Sequence, residues 1–187
     1  MDAFAYLSVL LSIILGLGLT QLLTATGRLI RHRDRVRVHW LPLLWAALLF
    51  LIYMQVWWAM YGLRLRRDWT FLAFAIVLAQ TATLYVMAAV ALPEQVDEDG
   101  TDLGVYFDRH HRWFFAFFLA TLVVSVTKDL ILTGRLPDPA NLAFHVVLGL
   151  GCVAGMLLRH RRAQGWLALG FTAGIIAYIA LLFTRLR

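Results

Sequence analysis

Apolar residues are gathered into six long runs, and most charged residues lie in the short connections between them. The runs cover about residues 3–27, 40–63, 69–92, 112–133, 140–158 and 165–184. A helix needs ~20 apolar residues to cross the hydrocarbon core of a bilayer. The pattern therefore predicts an all-α fold in which residues 1–187 form a single transmembrane domain, a polytopic bundle of six helices embedded in the lipid bilayer.

Small and hydroxyl residues recur at every fourth position of the first run. Residues four apart share one helix face, and a stripe of small side chains lets two helices approach closely in lipid. We therefore expect this first helix to be the packing spine of the bundle. Two glutamines, one in the first run and one in the third, are expected to hydrogen-bond to each other, and glycine pairs predict further seams in the last two runs. The packing residues so predicted are Ser8, Ser12, Gly16, Thr20, Gln21, Thr24, Gln80, Gly151, Gly155, Gly170 and Gly174.

Composition supports a chain with almost no soluble part. The 187 residues are 61% hydrophobic and 15% charged, whereas soluble domains are about half apolar and a quarter charged. The net charge of +6 comes from arginines in the connections. Basic connections in a membrane protein are first a topology signal, so no nucleic-acid partner is expected.

The distribution of arginines predicts an orientation. The first, third and fifth connections share one side, which holds ten arginines when Arg112 at the start of the fourth run is included, against six on the other side. The positive-inside rule places the richer side in the cytoplasm and both termini outside, and we expect a bacterial inner membrane.

Two connections of opposite charge lie on the predicted cytoplasmic side. Residues 28–39 are rich in arginine, and residues 93–111 are rich in carboxylates. They are expected to dock on each other electrostatically, and the alternative is two separately solvated loops. They also offer a contact surface for a cytoplasmic protein.

Short echoes relate the two halves of the chain. Thr26-Gly27-Arg28-Leu29 is repeated as Thr133-Gly134-Arg135-Leu136, each at the end of a run. Three helices per half would invert the second half, so the echoes predict a 3+3 inverted repeat, a plan common in transporters. The alternative is that arginine-rich turns look alike by chance.

Ionisable residues within the runs are the candidates for chemistry. Lys128, the only lysine, and Asp129 stand near the end of the fourth run, where a charge is costly unless it is paired or hydrated. Because the fourth connection is short, His145 enters from the same side at similar depth, and its charge changes near neutral pH. With three polar neighbours they are predicted to line one pocket that binds a solute or ion: Lys128, Asp129, Asn141, His145, Gln55 and Tyr178. In the alternative, Lys128 reaches outward to the headgroups, Asp129 pairs with Arg135, and His145 bonds to a nearby carbonyl.

No metal or cofactor is expected. A transmembrane b-type haem needs two facing histidines, and His145 is alone at its depth. The glycines of the first run have no preceding strand, which a phosphate-binding loop requires.

Three functions fit these observations. The first is a small transporter or channel for a small solute or ion, coupled to protons through Asp129 and His145. The second is a non-catalytic membrane subunit or sensor that acts through helix packing and through the charged cytoplasmic connections. The third is a membrane-embedded enzyme acting on a lipid-like substrate with His145 or Asp129 as base. For any of the functions, the glycine seams predict a homo-oligomer, with a dimer favoured.

Overall fold

The computed structural model describes residues 3–182 and consists almost entirely of six helices. The predicted end of the sixth run, together with Arg185 and Arg187, lies outside the described residues. The helices are α1 (Ala3–Arg31), α2 (Trp40–Met60), α3 (Phe71–Ala91), α4 (Leu103–Thr133), α5 (Pro139–Leu157) and α6 (Arg161–Leu182). Each is long and apolar enough to cross a membrane, so the chain has the all-α architecture of an integral membrane protein.

The connection between α4 and α5 ends one helix and starts the next with ordinary capping residues. Gly134, at φ 68°, follows the last residue of α4 and adopts the left-handed conformation that suits glycine. Asp138 Oδ1 then accepts hydrogen bonds from the backbone N–H groups of Ala140 and Asn141, both at 3.1 Å. Pro139 is the first residue of α5, as its missing N–H favours. Asp138 is therefore the N-cap of α5.

Two helices are longer than the hydropathy pattern predicts. α1 continues through Arg31, one turn beyond Gly27, and α4 begins at Leu103 rather than near residue 112. The added turns carry charged side chains, so an apolar window misses them. The first turns of α4 are nevertheless anchored, because Leu103 and Phe107 are buried.

The helices pack unequally. α4 lies between α3 and α5, α1 lies mainly against α3, and α2 contacts α6. In the first half of the chain the most extensive packing is between α1 and α3. In the second half it is between α4 and α5 and between α5 and α6. The two halves therefore do not pack as copies of one unit.

An aromatic cluster fills the middle of the bundle. The Trp45 ring lies 5.2 Å from the rings of Phe114, Phe115 and Phe171, centroid to centroid, and 6.4 Å from Phe118. These rings come from α2, α4 and α6 and are 3% exposed or less. They join three helices at one level.

The first and third connections dock on each other at one end of the bundle. Two short strands, β1 (Val36–Arg37) and β2 (Thr101–Asp102), pair in parallel with Val36 opposite Thr101. The two connections therefore meet through backbone pairing, and none of the ion pairs in the described part of the chain joins their side chains. Nearby, Arg161 at the start of α6 donates two hydrogen bonds to Asp108 Oδ2 of α4, at 2.7 and 3.0 Å. We call this the loop end.

The small-residue stripe of α1 does not face the rest of the chain, which corrects the prediction of a packing spine. Gly16, Thr20 and Thr24 are exposed, Ser8 and Ser12 bond within their own helix, and Gln21 is half-buried. The buried face carries larger residues with Gly18, which lies against the Tyr53 side chain. Spacing identifies residues that share a face, but burial of large apolar side chains decided which face turned inward.

The other predicted seams are partly occupied. A Cβ on Gly151 would meet Phe171 at 2.5 Å, one on Gly155 would meet Phe115 at 2.6 Å, and one on Gly174 would lie 3.6 Å from Leu148. Gly170 faces open space. The expected bond between Gln21 and Gln80 is also absent from the hydrogen bonds of residues 3–182, since Gln80 turns toward a cavity instead.

Candidate functional site

A cavity of about 450 Å³ lies within the bundle, toward the end opposite the loop end. We call that end the cavity end; it contains the α2–α3 and α4–α5 connections. The lining of the cavity comes from α2 to α6 and includes every residue of the predicted solute site. These are Gln55 of α2, Lys128 and Asp129 of α4, Asn141 and His145 of α5, and Tyr178 of α6.

α4 supplies one continuous wall of the cavity. Phe118, Leu122, Ser125 and Asp129 recur at intervals of three or four residues, which keeps them on one helix face. From Phe118 to Thr133 the wall spans ~22 Å at the helical rise of α4. The side chains change from aromatic at depth to charged near the exposed rim, so polarity increases toward the cavity end.

Lys128 and Asp129 form an ion pair in this wall. Lys128 Nζ lies 3.8 Å from Asp129 Oδ1, and the two side chains are 18% and 30% exposed. The alternative pairing of Asp129 with Arg135 is not among the ion pairs of the described chain. Pairing two adjacent opposite charges reduces the cost of holding both within an apolar helix.

α5 and α6 form a second polar wall. His145 is buried, and its Nδ1 lies 2.9 Å from the Asn141 carbonyl one turn earlier. A carbonyl only accepts, so Nδ1 is the donor in this bond, and Nε2 is the ring nitrogen left to meet the cavity. The Tyr178 hydroxyl donates to Asn141 Oδ1 at 3.1 Å, and its ring lies edge-on to His145. The histidine is thus held by its own helix while it borders the cavity.

Arg66 is a lining residue that the sequence did not single out. It lies in the α2–α3 connection, where it counted only toward topology. Its Nε donates to the Asp68 carbonyl at 2.8 Å, and a terminal N–H donates to the Leu132 carbonyl near the end of α4. The only signal in the sequence was its position three residues before Trp69, where the third run begins. A long side chain at that position can reach the end of the bundle where the cavity opens.

Several uncharged polar residues line the cavity at greater depth. Gln80 and Thr81 of α3 are buried, and Thr121 of α4 donates to the Thr83 hydroxyl at 3.1 Å. Gln80 was predicted as a packing residue. Its side-chain amide has no hydrogen-bond partner among residues 3–182, although it borders the cavity.

The deep end of the cavity meets the aromatic cluster. Phe118 belongs to both, and its ring lies 5.3 Å from that of Phe171. The cavity is therefore a one-sided recess, polar near the cavity end and closed toward the loop end by packed rings.

Comparison with protein families, with characterised proteins and with solved structures gives no match. Within residues 3–182, no group of three or more histidine, cysteine or carboxylate side chains is arranged to hold a metal ion. Fold and cavity therefore define a class only, that of a six-helix membrane protein with a one-sided polar recess.

Proposed function

We propose that the protein is a small transporter that binds a small solute in the cavity and moves it across a bacterial inner membrane. The observation that carries the proposal is that polar side chains from five helices, α2 to α6, converge on one recess, with packed rings beneath it. A ligand site within a helical bundle has this form, mostly apolar with a few convergent polar groups. Following the arginine count, the cavity end and both termini face outward.

Asp129 and His145 are the groups proposed to couple solute movement to protons. The Asp129 carboxylate is ion-paired with Lys128 and borders the cavity. A bound solute therefore changes the surroundings of the carboxylate directly. The imidazole uses Nδ1 for the bond to the Asn141 carbonyl, which leaves Nε2 to exchange a proton with the cavity. An acid and a base in one recess allow a proton to be taken up as the solute binds and released as it leaves.

The test is proton movement driven by solutes in proteoliposomes that contain a pH-sensitive dye. A panel of small sugars, amines and carboxylates is added to vesicles carrying the wild-type protein. We expect at least one solute class to change the internal pH, and Asp129→Asn to abolish the change.

Asp138→Asn is the matched control for that experiment. Asp138 lies at the same end but caps α5 without lining the cavity, and asparagine caps a helix about as well as aspartate. Its variant should behave as the wild type. A wild-type protein that moves no protons with any solute, or an Asp129→Asn variant that remains fully active, would contradict the proposal.

A second candidate function rests on the exposed seams. Gly16, Thr20 and Thr24 on α1 and Gly170 on α6 face away from the chain, where a second copy would bring small residues into close contact. A homo-oligomer, favourably a dimer, is proposed on this basis and is compatible with transport or with a subunit role. A cytoplasmic protein bound at residues 28–39 and 93–111 remains a prediction.

The enzyme alternative has less support. Ser125 lines the cavity, but no hydrogen bond of the described chain joins its hydroxyl to Asp129 or His145 as an activated nucleophile requires. The inverted repeat also stays a prediction, and the unequal packing of the two halves does not favour it.

A further inference from the structure

We propose that the solute is an organic anion, a carboxylate on an apolar body, and that Arg66 is the group that selects its charge. The inference rests on the proposed solute cavity and names the class of ligand that the cavity takes.

The charge on the cavity lining is unbalanced. Three charged side chains line it, two cations and one carboxylate, and the carboxylate is paired with Lys128. Arg66 forms no ion pair with an acidic side chain of the described chain. An unneutralised guanidinium at the rim of an apolar recess attracts a negative group and disfavours a positive one.

Arg66 also retains unused donors. A guanidinium has five N–H groups in a planar fork. Two are engaged, by the carbonyls of Asp68 and Leu132, and these bonds fix the orientation of the side chain. The remaining donors suit a carboxylate, which arginine binds with two parallel hydrogen bonds.

The deeper cavity suits an apolar body that carries a hydrogen-bonding group. Phe118, Leu148 and Ile175 line it, and all three are at least nine-tenths buried. Gln80, 7% exposed, presents a side-chain amide without a partner in residues 3–182. Its amide atoms are not among the buried unpartnered atoms of residues 3–182, so they are accessible from the cavity and can donate to and accept from a bound ligand.

Binding to nanodisc-embedded protein tests the inference with three probes of one shape. The probes are 2-naphthoate, 2-naphthalenemethanol and 2-naphthylmethylammonium, measured by calorimetry in phosphatidylcholine discs with empty discs subtracted. Loss of a charged hydrogen-bonded pair costs about tenfold or more in affinity. We therefore expect naphthoate to bind at least tenfold more tightly than the alcohol and the ammonium to bind most weakly.

Arg66→Gln should remove this preference. Naphthoate affinity should fall about tenfold, while the alcohol binds as in the wild type, which shows that the variant is folded. Arg67→Gln is the matched control, since Arg67 is exposed and does not line the cavity; it should leave the order unchanged. Arg66→Lys should restore part of the preference, because lysine keeps the charge but not the fork.

An anionic lipid headgroup offers the same chemistry as a free carboxylate. Repeating the titration in phosphatidylglycerol discs separates the two sources, because a headgroup that occupies the rim would compete with naphthoate there, whereas a free solute site would keep its affinity in both lipids. Either result supports the anion site.

Equal binding of the three probes, absence of naphthoate binding, or an unaltered preference in Arg66→Gln would overturn the inference. These failures are distinct from failure of the proposed transport. Selective naphthoate binding without proton movement would support the anion site and contradict the proposed transport. Proton movement driven by an amine or a sugar, with no preference among the three probes, would support transport and contradict the anion site.

Discussion

Gly155 shows how a single missing side chain allows two helices and a buried glutamine to meet. A Cβ there would lie 2.6 Å from two atoms of the Phe115 ring, which is fully buried and cannot move aside. The carbonyl of the same residue accepts from Gln164 Nε2 at 2.8 Å, as does the carbonyl of Leu158. The first turn of α6 thereby satisfies the last carbonyls of α5.

Gly155→Ala should therefore destabilise the protein, whereas Gly170→Ala should not. Forcing an extra methyl into a packed contact costs ~1–3 kcal/mol. At Gly170 the methyl meets open space, and alanine gains ~0.5–1 kcal/mol over glycine within a helix. Thermal unfolding in detergent measures both variants. Equal unfolding temperatures would show that Gly155 is not a tight contact.

These two glycines mark what residue patterns predicted and what they did not. Both belong to a glycine pair four residues apart, so the sequence treats them alike, and only the packing separates them. Arg66 and Lys128 differ in the same way. Lys128 could be identified as a candidate because it is a charge within an apolar run. Arg66 could not, because it is one of three arginines in a connection and only the packing of the helices places it at the cavity.

At the scale of the helices, the start of α4 is set by a charged cap rather than by hydropathy. Asp102 Oδ1 accepts from the backbone N–H groups of Gly104, at 2.8 Å, and Val105, at 3.0 Å. The hydrogen bond from Val105 is the main cause that lowers the pKa of Asp102, and the bond from Gly104 and the nearby Arg161 and Arg37 act in the same direction. The folded state therefore favours the ionised cap.

The effect of pH on this cap has a definite sign. Because the folded pKa lies below the unfolded value of ~3.9, the contribution to stability is present above that value and is lost as the pH falls through the folded pKa. Asp102→Ala should speed amide exchange at Gly104 and Val105 at neutral pH. Asp102→Asn should keep the protection factors of these two amides high at neutral pH. It should also abolish the loss of protection at acidic pH, because asparagine caps without titrating. Hydrogen exchange with mass spectrometry measures both, and equal exchange in the two variants would contradict the capping role.

The six helices were predictable because a bilayer demands apolar runs of a given length, and their cores match the runs. Their mutual arrangement was not. α1 illustrates the difference, since its stripe of small residues is visible in the sequence but faces outward. That Lys128 and His145 lie toward the same end of the bundle was predictable, because the connection between α4 and α5 is short.

At the scale of the molecule, the cavity and the loop end are separated by the aromatic cluster of α2, α4 and α6. A solute that enters from the cavity end can leave at the loop end only if these helices separate there. Asp108 and Arg161 join α4 to α6 at that end, and their side chains are 46% and 48% exposed. This ion pair lies where the proposed transport requires movement.

Linking positions 108 and 161 covalently should therefore stop transport without stopping binding. In Asp108→Cys/Arg161→Cys, a short cleavable reagent that reacts with both thiols would hold α4 to α6, while the native Cys152 is fully buried and out of its reach. We expect linked protein to bind naphthoate as before, to lose solute-driven proton movement, and to regain it when the link is cleaved. Each single cysteine variant treated with the same reagent is the control. Full transport by the linked protein would mean that the solute does not pass between α4 and α6.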